Sequence, residues 1–266
     1  MSERTKSMAA FLTSLVVLSG AWEGISRAGL INPLVLPAPS AIAQSVWFYI
    51  TNLFSPISYW TDTWLTLYEI VLGYALGVGG ALVLGALVAE FATVRRVVIP
   101  YMVALNATPK IALAPLFVVW FGFGAAPKVI MSAFICFFPV LINTITGLNA
   151  AAEDELELMA SLRASRWETF RRLKLFTALP YIFAALRTAM AFAVVGAIIG
   201  EFAGAQRGLG FQIEFSAARL ETANLFAFLV VLSLLAYALY TVVEWAERRI
   251  VFWTASQRAG ALANRM

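Results

Sequence analysis

The sequence predicts an all-α, polytopic membrane protein with about six transmembrane helices. Three observations lead there. The 266 residues are 61% hydrophobic and only 13% charged, whereas soluble domains run about 45–50% apolar. The apolar residues gather in six runs long enough to cross a bilayer, which takes about 20 residues. Charge is concentrated instead in one island, Glu153–Pro180, with five carboxylates (Glu153, Asp154, Glu155, Glu157, Glu168) and five cations (Arg163, Arg166, Arg171, Arg172, Lys174). A hydrocarbon core does not admit that density of charge, so the island lies outside it.

The expected spans, in order, are Met8–Ser26, Leu65–Ala92, Val97–Phe121, Val129–Leu148, Ala178–Ile199 and Leu225–Trp245. Ser19-Gly20-Ala21 also gives the first run the small residues of a cleaved leader, though a multispanning chain needs none. With the N-terminus in the cytoplasm, thirteen of the nineteen Lys and Arg residues fall on inner segments. Lys and Arg favour that side, so both termini and the charged island are expected to be cytoplasmic. The divisions read from the sequence are 1–62 (first span and outer loop), 63–246 (membrane core, with a coupling loop at 150–177) and 247–266 (cytoplasmic tail).

Outside, Pro33, Pro37 and Pro39 break helix. Ser40 can then cap a short surface helix carrying Ile42, Val46, Tyr49, Ile50 and Leu53 at helical spacing. Before the last span, Gly204, Gly208 and Gly210 interrupt the chain ahead of an amphipathic piece near Phe211–Leu220.

Within the membrane, the second span repeats small residues every fourth position: Gly73, Gly77, Ala81, Gly85 and Ala89. Such a face lets another backbone approach closely, either as static packing or as a seam that slides. The third span is polar at mid-depth, where Asn106-Ala107-Thr108-Pro109-Lys110 interrupts it and Pro115 follows. An ammonium at that depth costs about 2.5–3.5 kcal/mol, so Lys110 should face protein or a wet cavity. It either attracts an anionic solute or pairs with a carboxylate or carbonyls. Asn143 and Thr146 of the fourth span are pathway candidates or interhelix hydrogen bonders. Together, Asn106, Thr108, Lys110, Asn143 and Thr146 are the candidate pathway residues. Glu69 is expected to snorkel from an outer helix end, and Arg187 and Glu201 to be structural.

The island itself reads as two helices. Glu153, Asp154 and Glu155 suit a helix N-terminus, and that helix runs to about Leu162. Ser165 and Glu168 form a capping box that starts a second helix at Arg166, which runs until the Leu179-Pro180 step leads into the next span. Such a hairpin is either a lever for a soluble partner or an amphipathic element resting on lipid headgroups.

With no histidine and one cysteine, the chain offers no metal centre and lacks the commonest general base. No paired intramembrane carboxylate site argues for catalysis, although a Ser or Lys nucleophile is conceivable. The cations form no basic face for nucleic acid. A secondary transporter would call for inverted repeats and acidic relays, and neither is evident.

Several motifs then carry a resemblance. The run ELMASLRASRW…ALP resembles the E-A-A-x(3)-G…L-P loop of ABC-transporter permease subunits of the binding-protein-dependent importer type. LPAPSAI (Leu36–Ile42), TPKIALAPLFVVWFGFG (Thr108–Gly124), FFPVLINTITG (Phe137–Gly147) and GLGFQI (Gly208–Ile213) resemble its nitrate/sulfonate/taurine branch. In the loop, Leu158 and Met159 replace two alanines, and Arg163 stands where the family has glycine. The resemblance implies a type I importer permease fold in a bacterial inner membrane. It also implies a second permease copy, a periplasmic binding protein, and separate ATPase subunits that bind ATP and magnesium. Glu157, Ser161, Arg163, Ala164 and Ser165 would be the coupling-helix contacts. The chain has no G-x-x-x-x-G-K-[ST] phosphate loop of its own. The implied cargo is a small organic anion such as a sulfonate or taurine, or else a vitamin or pyrimidine precursor or an aromatic acid.

Overall fold

A computed structural model describes residues 3–52 and 59–253. Leu53, Arg258 and Arg265, used in the sequence reading, lie outside them. Eleven α-helices make up the described chain. They are α1 (Glu3–Arg27), α2 (Pro39–Thr51), α3 (Trp60–Glu90), α4 (Ala92–Ala107), α5 (Ala114–Phe121), α6 (Ala125–Leu148), α7 (Glu153–Ser161), α8 (Arg166–Thr169), α9 (Leu175–Phe202), α10 (Leu209–Ala218) and α11 (Thr222–Ile250). Among the described residues, four stretches are long and apolar enough to span a membrane: α3, α6, α11 and the run from α8 through α9. The bent pair α4–α5 adds a fifth when counted as one span; α1 is helical over the first expected run, Met8–Ser26.

The bend corrects the third predicted span. Val97–Phe121 is not one helix: α4 ends at Ala107, Lys110–Leu113 form a 3₁₀ turn, and α5 departs at 91°. The cause is local. Pro109 forces Thr108 into an extended conformation (φ −65°, ψ 135°), and Pro115 sits in the first turn of α5, where a missing N–H costs nothing.

The chain divides into two compact units. The first holds residues up to Trp64 together with Arg207–Leu234. Here α2 begins at Pro39, one residue before the expected cap, and Ser40 does not cap it. The Ser40 hydroxyl and amide instead donate to Glu23, at 2.6 and 3.0 Å. Ile42 and Tyr49 are the buried face of α2, and Tyr49 stacks on Tyr59 and meets Phe228 edge-on. Asp62 accepts from the Gly208 amide (3.0 Å) and the Gln212 side chain (2.7 Å), which satisfies a donor at the start of α10.

The second unit, Leu65–Gln206 with Leu235 onward, contains the membrane core. There α6 and α9 are the most extensively packed helices, and the Ser132 hydroxyl donates to the Ala193 carbonyl at 2.9 Å. The small face of α3 packs on α6: a Cβ on Gly77 would sit 2.5 Å from the Ala133 carbonyl oxygen and from Cys136 Sγ. Pro180 does not interrupt the chain as expected. It lies inside α9, which continues α8 through a π-helical turn at Phe170–Lys174. Through the wide turn α8 and the span form one continuous rod, Arg166–Phe202.

Candidate coupling surface and solute pathway

The charged island folds as the two expected helices, α7 and α8, and both of its ends are locked by hydrogen bonds. At the start of α7, Glu155 accepts from the Ala152 amide at 3.1 Å. At its end the chain turns left-handed. Arg163 has φ +52°, its amide donates to the Ala160 carbonyl (2.9 Å), and the Ala164 amide donates to Met159 (3.0 Å). This is the C-terminal cap that glycine ordinarily makes. Arginine adopts it here at a cost of about 1 kcal/mol relative to glycine. Leu220 does the same after α10, with φ +59°.

The capping box is present: the Glu168 amide donates to Ser165 Oγ (3.2 Å), and the Glu168 carboxylate accepts from the Ser165 amide (2.8 Å) and hydroxyl (2.9 Å). Its rod is anchored to the end of α3 by the Lys174–Glu90 ion pair at 2.7 Å. Arg95 caps the last carbonyls of α3, accepted by Val88 (3.1 Å) and Ala89 (2.8 Å), and reaches Asn149 after α6 (3.3 Å). Between α3 and α8 lies a cavity of about 450 Å³ walled by Val83, Leu87, Phe91, Trp167 and Phe170.

Beyond this anchored base, α7 buries none of its residues. Leu158 is 60% exposed and Leu162 68%. Glu157 and Ser161, four residues apart, are exposed on α7; Arg163 and Ser165 are exposed on the turn, and Ala164 is half-buried. The structure thus gathers all five coupling candidates at one tip.

The pathway candidates separate into two kinds. Asn106 and Thr146 line one cavity of about 240 Å³ with Met102, Phe138, Ile142 and Ile145. Lys110 sits beside it, donating to the Asn106 carbonyl (2.9 Å) and side-chain oxygen (3.1 Å), its ammonium 5.1 Å from the Phe138 ring centre. Two of its three protons are therefore engaged. Thr108 and Asn143 direct their donors to their own helices, at the Ala104 and Pro139 carbonyls (3.1 and 2.8 Å), and so does Thr146, at the Ile142 carbonyl (2.9 Å), although it lines the cavity.

One cluster was not anticipated. Glu69 does not snorkel: it is fully buried, with Lys128 at 3.1 Å. Glu201, also fully buried, accepts from Thr66 at 2.6 Å. A sequence signal existed, because Glu69 lies four residues before Gly73 and so continues the small-residue face that packs against α6. Arg187, expected to be structural, pairs with Glu247 at 3.0 Å.

The chain matches the family model described as binding-protein-dependent transport system inner membrane component over residues 81–254. Among curated proteins it is 32% identical to the riboflavin transport system permease protein RibX of Chloroflexus aurantiacus, covering 91% of this chain and 89% of that one. It is also 32% identical to the formylaminopyrimidine transport permease protein ThiX of Halalkalibacterium halodurans (93% and 95%). Identity is 27% to the taurine transport system permease protein TauC of Escherichia coli (90% and 88%). A solved chain of the MetNI methionine ABC transporter in an inward-facing conformation shares the fold, with a TM-score of 0.59 at 20% identity, covering 77% of this chain and 95% of that one.

Proposed function

We propose, for a chain that belongs to the family of binding-protein-dependent transport system inner membrane components and is an ABC importer permease, that it forms the import pathway for a planar heteroaromatic solute of the vitamin or pyrimidine-precursor class. Two copies pair in the membrane. A binding protein delivers the solute from outside, and separate ATPase subunits, which hold ATP and magnesium, dock on the α7–α8 hairpin. Both chain termini and the hairpin are cytoplasmic. One observation carries this assembly: Leu158 on α7 and Leu162 just after it are exposed and no residue of α7 is fully buried, although both ends of the hairpin are fixed. A helix held that firmly, outside the bilayer and without a core of its own, is built to be gripped. The rod through α9 and the clamp on α3 carry the push into the spans.

The cargo follows from the smaller cavity. Its wall is apolar and aromatic, with polar contacts at Asn106 and Thr146, which suits a flat ring with a few hydrogen-bonding edges. The relatives at 32% identity are named for riboflavin and formylaminopyrimidine transport. The second reading, a sulfonate or taurine-like anion, is favoured by the third proton of Lys110 and by the likeness to TauC. Uptake by the reconstituted importer separates them. With a heteroaromatic cargo, Lys110→Met assembles normally and changes uptake less than twofold. A tenfold loss, equal to about 1.4 kcal/mol, assigns the pathway to an anion. Failure of every flat heteroaromatic compound to compete for uptake rejects the first reading.

A further inference from the structure

The cavity between α3 and α8 belongs to neither the coupling tip nor the solute pathway, since none of their candidate residues lines it. It lies within the second unit, at the end where Lys174 pairs with Glu90. Its wall is apolar. Val83, Ala86, Leu87 and Phe91 come from the last turns of α3 and the break after it, and Trp167 and Phe170 from the rod. Trp167 stacks on Phe170, with ring centres 5.7 Å and planes 17° apart, yet is 67% exposed. The volume of about 450 Å³ falls in the range of small-ligand sites, about 300–1,000 Å³.

Two features restrict what fits there. The first is the surface that the cavity continues. Gly73, Gly77 and Gly85 turn towards α6, while Leu76, Val83 and Leu87, on the opposite side of α3, are 57%, 64% and 41% exposed. On a membrane-spanning helix, an apolar stripe left unpacked meets acyl chains. This stripe runs into the cavity, where Trp167 closes its end, and tryptophan favours the boundary between membrane and water. The second feature is charge. Arg166 lines the cavity, is exposed, and makes no ion pair among the described residues. The acid in the wall, Glu90, is already matched by Lys174. Arg96, Arg171 and Arg172 are exposed at the same end of the unit. A long apolar slot that finishes at an unmatched cation has the chemistry of an acyl chain joined to an anionic head.

We propose that this cavity is a lipid site, which takes an acyl chain of an anionic phospholipid along Val83, Leu87 and Trp167 and sets its phosphate against Arg166. Seated there, the lipid fills the gap between the second span and the rod. Basic pockets beside spans gather anionic headgroups, and one arginine at such a surface favours them about fivefold. The lipid belongs to the leaflet on the hairpin's side, which is the cytoplasmic one on the topology proposed above. Only that choice of leaflet rests on the earlier reading. Binding needs neither the cargo nor the ATPase subunits, so it can fail while the transport account stands, and the reverse.

Native mass spectrometry of the full-length protein in detergent tests this, with phosphatidylglycerol and phosphatidylcholine of identical chains added in turn. The wild type should retain phosphatidylglycerol with a preference of about fivefold. Arg166→Gln should bring that preference below about twofold, and Arg166→Lys should keep it. Val83→Trp, which fills the cavity, should release the bound lipid. A wild-type preference below about twofold overturns the proposal, as does a preference that Arg166→Gln leaves unchanged. A second measurement does not depend on how these variants fold. With the importer assembled in native membranes, benzoylphenylalanine in place of Trp167 should capture a phospholipid on illumination. Capture of an ATPase subunit or a second permease chain instead, or of no lipid, rejects the assignment.

Discussion

Replacing Lys128 with methionine should cost the protein about 3–5 kcal/mol, the largest stability loss of any single change considered. Lys128 and Glu69 are 3.1 Å apart, with side-chain exposures of 7% and 0%, so neither can recover water when the other is lost. Methionine fills the space of the lysine stem and leaves the buried Glu69 carboxyl without its cation. The loss can be read as a fall in the unfolding midpoint of the detergent-solubilised protein. Adding Glu69→Gln to Lys128→Met should recover most of it, because the second change removes the uncompensated charge. A Lys128→Met protein within about 0.5 kcal/mol of wild type would mean that the pair is solvated and the packing of α3 on α6 is misjudged.

The second large effect is functional. Glu157→Lys should leave insertion and folding intact and abolish the stimulation of ATP hydrolysis by transport, with a loss of at least about tenfold in uptake. Glu157 is exposed on α7 and anchors nothing else among the described residues, so its replacement has little to disturb within the chain. Reversing a charge at a docking face, in contrast, costs about 2–5 kcal/mol of binding when a partner charge is buried against it. The check is reconstitution with the ATPase subunits, comparing stimulated hydrolysis and uptake in one preparation. Normal stimulation would remove Glu157 from the interface.

The hairpin was legible in the sequence because its determinants are local. Ser165 and Glu168 are three residues apart, and that spacing alone implies the reciprocal bonds now seen. The left-handed Arg163 was harder. Nothing in an arginine signals φ +52°; only the resemblance, with glycine at that position, pointed to the turn. The prolines near Lys110 announced an interruption but not a 91° bend, because two prolines remove donors without fixing how the following helix packs. Pro180 misled in the opposite direction: the helix runs through it, from Leu175 to Phe202. The Glu69 pair was missed for a different reason. Its cation Lys128 is 59 residues away in sequence, and Thr66 meets Glu201 across 135 residues. Long-range pairing of that kind leaves only the faint mark of one acid on a glycine-rich face.

The coupling role of the hairpin is the claim on which the transport account rests. The chain's one native cysteine, Cys136, is buried, so a cysteine placed at Ser161 is selectively reactive. With the full importer assembled in native membranes, a bifunctional thiol reagent should join Ser161→Cys to a cysteine in the groove of the ATPase subunit. The yield should change when ATP is bound. Ready labelling of Ser161→Cys by an impermeant thiol reagent from the outer face of intact cells, with no cross-link to the ATPase, would contradict the account.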